Sequence, residues 1–166
     1  MHSMMRELHD TITAAQSGMS AEDLSRHPEG KWCAAQVLEH LYLSYKGTVR
    51  GCERCLHEGK PLARRPTLRE RVQTSLVVDV GYFPSGRKAP KITVPQGLKA
   101  DDVMALLTSE LSAMDDAITR CEQKFGSRVY LMDHPILGPL TVPQWRKLHL
   151  LHGRHHAKQI RQLRKG

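Results

Sequence analysis

A chain of 166 residues is long enough for one domain with a substantial buried core. With a formal charge of +8 and no run of about 18 apolar residues, it is not expected to span a membrane, and it is expected either to meet an anionic partner or simply to carry a solvated basic surface. Aromatic residues make up only 5%, Val and Ile are sparse and no segment alternates cleanly, which argues for an all-α protein with an aliphatic, Met-filled core and against base-stacking nucleic-acid modules.

The first helix is predicted over residues 3–17, where Met5, Leu8, Ile12 and Ala15 recur at helical spacing and Gly18 ends the run. The second is predicted over 33–58. Its stripe is Ala34, Leu38, Leu41, Tyr45, Thr48 and Cys52, and Gly59 with Pro61 stops it. Between 59 and 100, Thr67-Leu-Arg-Glu70 is a capping-box pattern for a short helix near 68–78, and the Pro- and Gly-containing stretch 84–97 reads as an ordered loop. The third helix is predicted over 101–124, with Asp101 and Asp102 at its positive end and Val103, Leu107, Leu111, Met114, Ile118 and Cys121 on its apolar face. The fourth starts at Thr141-Val-Pro143-Gln144, a capping box with Pro in the first turn, and ends near Leu163. Together these give a single domain over 1–166, a four-helix bundle with a long crossover that lets helices two and three run parallel.

The fourth helix carries the chemistry. At about 100° per residue, Trp145, His149, His152, His156, Ile160 and Leu163 fall on one inward stripe. Imidazoles occupy its centre, where Leu or Ile is usual. A pair at i and i+4, such as His152 and His156, can chelate one divalent ion, and the ion offsets the cost of burying the rings. Partly exposed histidines on a basic helix are the competing reading. His155 should point sideways, and His134 before Pro135 suits a cap on the entry to the helix. His2, His9, His27 and His57 have no coherent pattern.

In helix two, His40 sits on the flank of the apolar stripe among Cys33, Val37, Ser44, Gly47 and Gly51. Such small neighbours leave a cavity beside a buried ring or let another helix approach closely. Gln36, one turn before His40, is placed to steady its ring, whereas Glu39 should face away. Cys52-Glu-Arg-Cys55 falls near the end of a helix, where the dipole does not lower a thiol pKa, and no second pair completes a zinc ribbon, so a structural role is expected. With no secretory signal, the four cysteines are expected reduced and the protein cytoplasmic.

Two segments resemble a known family. Lys31-Trp32-Cys33-Ala34-Ala35-Gln36-Val37-Leu38-Glu39-His40-Leu41 is similar to the start of helix two in the DinB/YfiT-like metalloenzymes, where a Trp precedes the helix and a His about eight residues later is a ligand. His134-Pro135 to Trp145, followed by His152-Gly-Arg-His155-His156-Ala-Lys-Gln159-Ile160, resembles the last helix of that family. The resemblance implies a metal site of His40, His152 and His156, with His149 beside it on the rim or behind the ligands. It departs at Cys33, where many relatives have Ser or Thr, and at Lys158, where many have Gly.

Three neutral imidazoles leave a divalent ion with open positions, the pattern of a catalytic site; zinc or nickel suits them best. The resemblance implies metal-dependent hydrolysis or thiol-dependent transfer, a small-molecule substrate and, in the second case, a thiol cofactor. Two other readings stay open: a non-catalytic metal-binding or stress-response module, and a basic nucleic-acid-binding bundle without metal. Nucleic acid is not favoured, no carboxylate stands out as a general base, and a homodimer is allowed.

Overall fold

A computed structural model describes residues 1–81 and 88–164. The fold is mostly helical. In chain order it has α1 (Ser3–Gln16), α2 (Ala21–Ser25), α3 (Ala34–Glu58) and α4 (Leu68–Thr74), the last continued by a π turn (Ser75–Asp79). A 3-10 turn (Lys91–Thr93), α5 (Ala100–Phe125), a hairpin of β1 (Tyr130–His134) and β2 (Gly138–Thr141), and α6 (Val142–Leu163) follow. The four long helices fall where the apolar spacing predicts them. Pro84 and Gly86 of the expected loop, Arg87, and Lys165 of the basic C-terminal cluster lie outside the described residues.

The hairpin is an addition to the all-α expectation. Its strands are antiparallel, with Met132 opposite Leu140 and His134 opposite Gly138, and a bulge between Tyr130 and Met132. The strands are five and four residues long, too short to show a period in the sequence. Buried Leu131, Met132, Leu137 and Leu140 join the core. Leu131 also accepts hydrogen bonds from Leu62, Ala63 and the Cys55 thiol, tying the chain that leaves α3 to the hairpin.

α3 and α6 begin, and α3 ends, for local reasons. Gln36 Oε1 accepts from Cys33 N at 3.1 Å and Gln144 Oε1 from Thr141 N at 2.9 Å, satisfying donors that open α3 and α6. α3 stops at Gly59, whose φ of 71° is left-handed and whose N–H returns to the last turn. α5 packs along α3 in parallel. Glu39, near the start of α3, holds the backbone at Gln96–Leu98 just before α5 begins, while near the far ends Arg120 pairs with Glu53 and Lys124 reaches the Leu56 carbonyl. α6 runs the opposite way, with His152 against His40 and His149 against Thr48. α1 lies alongside α6, where Glu7 pairs with Arg154 and Leu8 meets Gly153.

The four cysteines are free and buried, in keeping with a structural role. Cys121 Sγ donates to the Cys52 carbonyl at 3.5 Å across the α3–α5 seam, and burial holds the Cys55 thiol pKa up.

The small residues of the two long helices divide by function. A Cβ on Gly153 would overlap the Leu8 side chain, and one on Gly51 would overlap the Met132 sulfur. At Gly47 the same atom would meet nothing within 4 Å. Close packing therefore explains Gly51 and Gly153, and open space explains Gly47. Gly153→Ala is expected to cost about 1–3 kcal/mol through overpacking. Gly47→Ala should instead stabilise by about 0.5–1 kcal/mol, since a mid-helix glycine loses more backbone freedom on folding. Urea titration of the two variants measures the opposite signs.

Candidate metal centre

Three imidazoles meet where α3 and α6 face each other. His40 Nε2 lies 3.2 Å from His152 Nε2, and His156 Nε2 lies 3.0 Å from the same atom. Their ligand nitrogens all lie within 4.8 Å of one another, so the cluster can hold a metal ion. His152 and His156 come together because four residues make roughly one turn of α6. His40 is brought from 112 residues away by the antiparallel packing of α3.

The outer hydrogen bonds decide which nitrogens are free. His40 Nδ1 is 2.8 Å from the Thr93 carbonyl, which can only accept. His40 Nδ1 therefore carries the proton and donates it, and the Nε2 lone pair points into the cluster. His156 Nδ1 donates in the same way to Gln159 Oε1 at 2.9 Å. His152 Nε2 can donate one proton, to one of its two neighbours. Without a cation, at least one Nε2 lone pair of His40 or His156 is left without a donor. A tetrahedral zinc with Zn–N of about 2.0–2.1 Å sets ligand nitrogens about 3.3 Å apart, close to the spacing found. The residues present fit a divalent ion.

Burial keeps the three rings neutral. Desolvation lowers the His40 pKa below its usual value, lowers that of His152 well below it and brings His156 to about 3. Repulsion between the rings adds to the effect at His152 and His156. Neutral imidazole is the ligating form.

The cluster forms part of the wall of a cavity of about 1500 Å³. Ser44, Gly47, Trp32 and Ile92 also line it. Small residues beside His40 thus open space at the site while close packing is made at Gly51. Trp32 is half-buried, with its ring centroid 5.4 Å from that of His40. Trp145 is buried and Trp32 is half-buried, and both line the cavity.

The remaining sequence candidates take distinct places. His149 is buried one turn before His152, with Nε2 at 2.9 Å from Thr48 Oγ1 and its ring stacked on Trp145. It braces α6 against α3 behind the cluster. Gln36 commits its side-chain oxygen to the α3 cap, so the hydrogen bonds that orient the rings come from Thr93 and Gln159 instead. His155 is exposed, as expected, and lines the cavity beside His156. His134 caps the hairpin turn by accepting from Ile136 N and Leu137 N at 3.2 Å.

Glu39 overturns its sequence reading. It is 2% exposed, and its carboxylate accepts from Gln96 N at 2.7 Å and from Gly97 N and Leu98 N at 3.0 Å. This clamp holds the segment that follows Thr93, the residue that orients His40. Nothing in the spacing of Glu39 reveals it, since the partners are backbone groups 57 to 59 residues away. Gln159 was legible in principle, because it lies three residues after His156 on the same helix.

Glu39→Gln puts an amide among three donors and should cost about 1.5–3 kcal/mol in urea titration. Acid should also destabilise the protein. Burial holds His149 at about 3 and His134 at about 4, below the ordinary 6.5 of an unfolded chain. The unfolded state therefore takes up more protons below pH 6.5. Stability is full above that value and is lost as pH falls toward 4 and then 3. The urea midpoint should drop over this range, with a shallower slope in His149→Gln.

No curated protein matches the chain, and no solved structure matches it. A family model described as a protein of unknown function, DUF1569, matches residues 3–163. That span runs from the start of α1 to the end of α6 and includes all three histidines of the cluster. The chain belongs to the DUF1569 family.

Proposed function

We propose that the protein is a divalent-metal-dependent enzyme of the DinB/YfiT-like type, a helical bundle whose ligands are His40, His152 and His156. The observation that carries this reading is the convergence of three Nε2 atoms on the wall of a large cavity. A structural metal site closes its shell with protein ligands, whereas three imidazoles beside open space leave room for water or substrate.

An ion held there, zinc or nickel by preference for imidazole, would supply Lewis acidity that lowers the pKa of water or a thiol toward neutrality. The chain's own residues do the rest. Thr93 and Gln159 fix the tautomers of His40 and His156. Trp32 shields the His40 ring from water. Asp133 is the one carboxylate among the described cavity residues, and Arg64 pairs with it at 3.3 Å. Proton transfer by a protein group therefore falls to His155 at the rim or to the Ser44 hydroxyl, which donates to the His40 carbonyl at 2.8 Å. Hydrolysis and thiol-dependent transfer are the two reactions such a site supports.

Metal content of dialysed, untagged protein tests the reading. Wild type should retain about one zinc or nickel per chain, and His40→Ala, His152→Ala or His156→Ala should each lose it, while His27→Ala retains it. Affinity should hold through neutral pH and fall in acid at a pH below the usual 6.5, because burial lowers the ligand pKa values. Equal metal in wild type and His40→Ala would remove α3 from the site. Turnover of hydrolytic and thiol-transfer substrates by loaded wild type and not by His156→Ala separates an enzyme from a metal-binding module.

A further inference from the structure

We infer that the cavity takes an organic anion with an apolar body, a carboxylate- or phosphate-bearing small molecule; this deepens the metal-centre reading and rests on it for the position of the reacting end. The charged lining is one-sided. Lys31, Arg54, Arg69, Lys88 and Lys91 line the cavity, against Asp133 alone. Asp133 is already paired with Arg64. None of the five basic residues has an ion pair among the described residues, and all five are exposed. Lys31 precedes α3, Arg54 lies near its end, Arg69 is in α4, Lys88 precedes the 3-10 turn and Lys91 opens it, so they come from several elements rather than from one helix face.

An unpaired basic rim around a low-dielectric cavity concentrates anions and speeds their entry. Away from the cavity several exposed charges are matched locally, as with Arg120 between Glu53 and Asp116 or Arg154 on Glu7. The lining also exposes apolar side chains. Ile92 is 68% exposed, Leu76 50%, Val94 41% and Ile136 39%. All four line the same cavity. An inorganic anion would leave this surface wet, and a neutral apolar molecule would leave the charges unmet. A molecule with both parts satisfies both walls, and a volume of about 1500 Å³ holds one of drug size with room to spare.

Ligands of similar length test this directly. Octanoate and octanamide share a heptyl chain, octyl phosphate carries one more methylene, and the three differ in the head group. Trp32 and Trp145 are the only tryptophans and both line the cavity, so intrinsic fluorescence reports occupancy. Titrations are run on metal-free and zinc-loaded wild type and on Lys31→Glu/Lys91→Glu, whose exposed positions leave the core untouched. Octanoate or octyl phosphate should bind wild type at least tenfold more tightly than octanamide, in the absence of metal as well as in its presence. The stronger of the two identifies carboxylate or phosphate. The double reversal should abolish the preference without changing zinc stoichiometry or helix content, and salt raised to about 0.5 M should narrow it by screening. Equal binding of anions and amide, no binding of any, or a preference that survives the reversal overturns the inference. Absence of the preference in wild type that holds zinc defeats this inference alone. A retained preference in a protein that holds no zinc or nickel defeats the metal-centre reading alone.

Discussion

The carboxylate of Glu39 and the three backbone N–H groups it receives hold the site together. A buried carboxylate is stable only where donors replace its water. Glu39 finds them at Gln96, Gly97 and Leu98, and so fastens the end of the long crossover to the first turns of α3. Two consequences follow. α5 begins beside the start of α3 and must run parallel to it. Thr93, three residues upstream of the clamp, is held with its carbonyl on His40 Nδ1, which sends the Nε2 lone pair toward α6. One ionic anchor thus sets a helix direction and a tautomer.

The histidines on α6 depend on a different kind of constraint. α6 has α1 against Gly153 on one side and α3 on the other, which keeps His149 and His156 buried while His155 stays exposed. Around His149 the fold accepts further polar cost. His149 Nδ1, Trp145 Nε1 and Tyr45 Oη are buried without a hydrogen-bond partner among the described residues. A helix that lowers imidazole pKa values by burial keeps these rings neutral below the usual 6.5. It also makes the fold itself acid-sensitive, since the same protons are taken up more readily by the unfolded chain. Ligand readiness and acid lability have one cause.

Cavity and cluster are linked through what α3 leaves out. Gly47 offers no side chain and Ser44 turns its hydroxyl back to the His40 carbonyl, so the flank of the helix beside His40 is open. Trp32 covers one edge of that opening. The exposed aliphatic residues of the π turn, the 3-10 turn and the hairpin turn extend it outward, and basic side chains edge it.

Much of this was legible in the amino-acid sequence. Apolar spacing determined the four long helices, and capping residues at Thr141 and Gly59 determined two of their ends, as Thr67 did for the short α4, because these are local effects of period and turn chemistry. Helical spacing placed His152 and His156 together, and small neighbours marked His40. The sequence left close packing and cavity unresolved for Ser44, Gly47 and Gly51; only the approach of Met132 and the emptiness beside Gly47 separated them. The hairpin, the clamp at Glu39, the Thr93 carbonyl and the half-exposed Trp32 were also decided by tertiary structure. In each case the partner is a backbone group or a surface from a distant part of the chain, and neither the identity nor the spacing of residues encodes which distant carbonyl or N–H will arrive beside them.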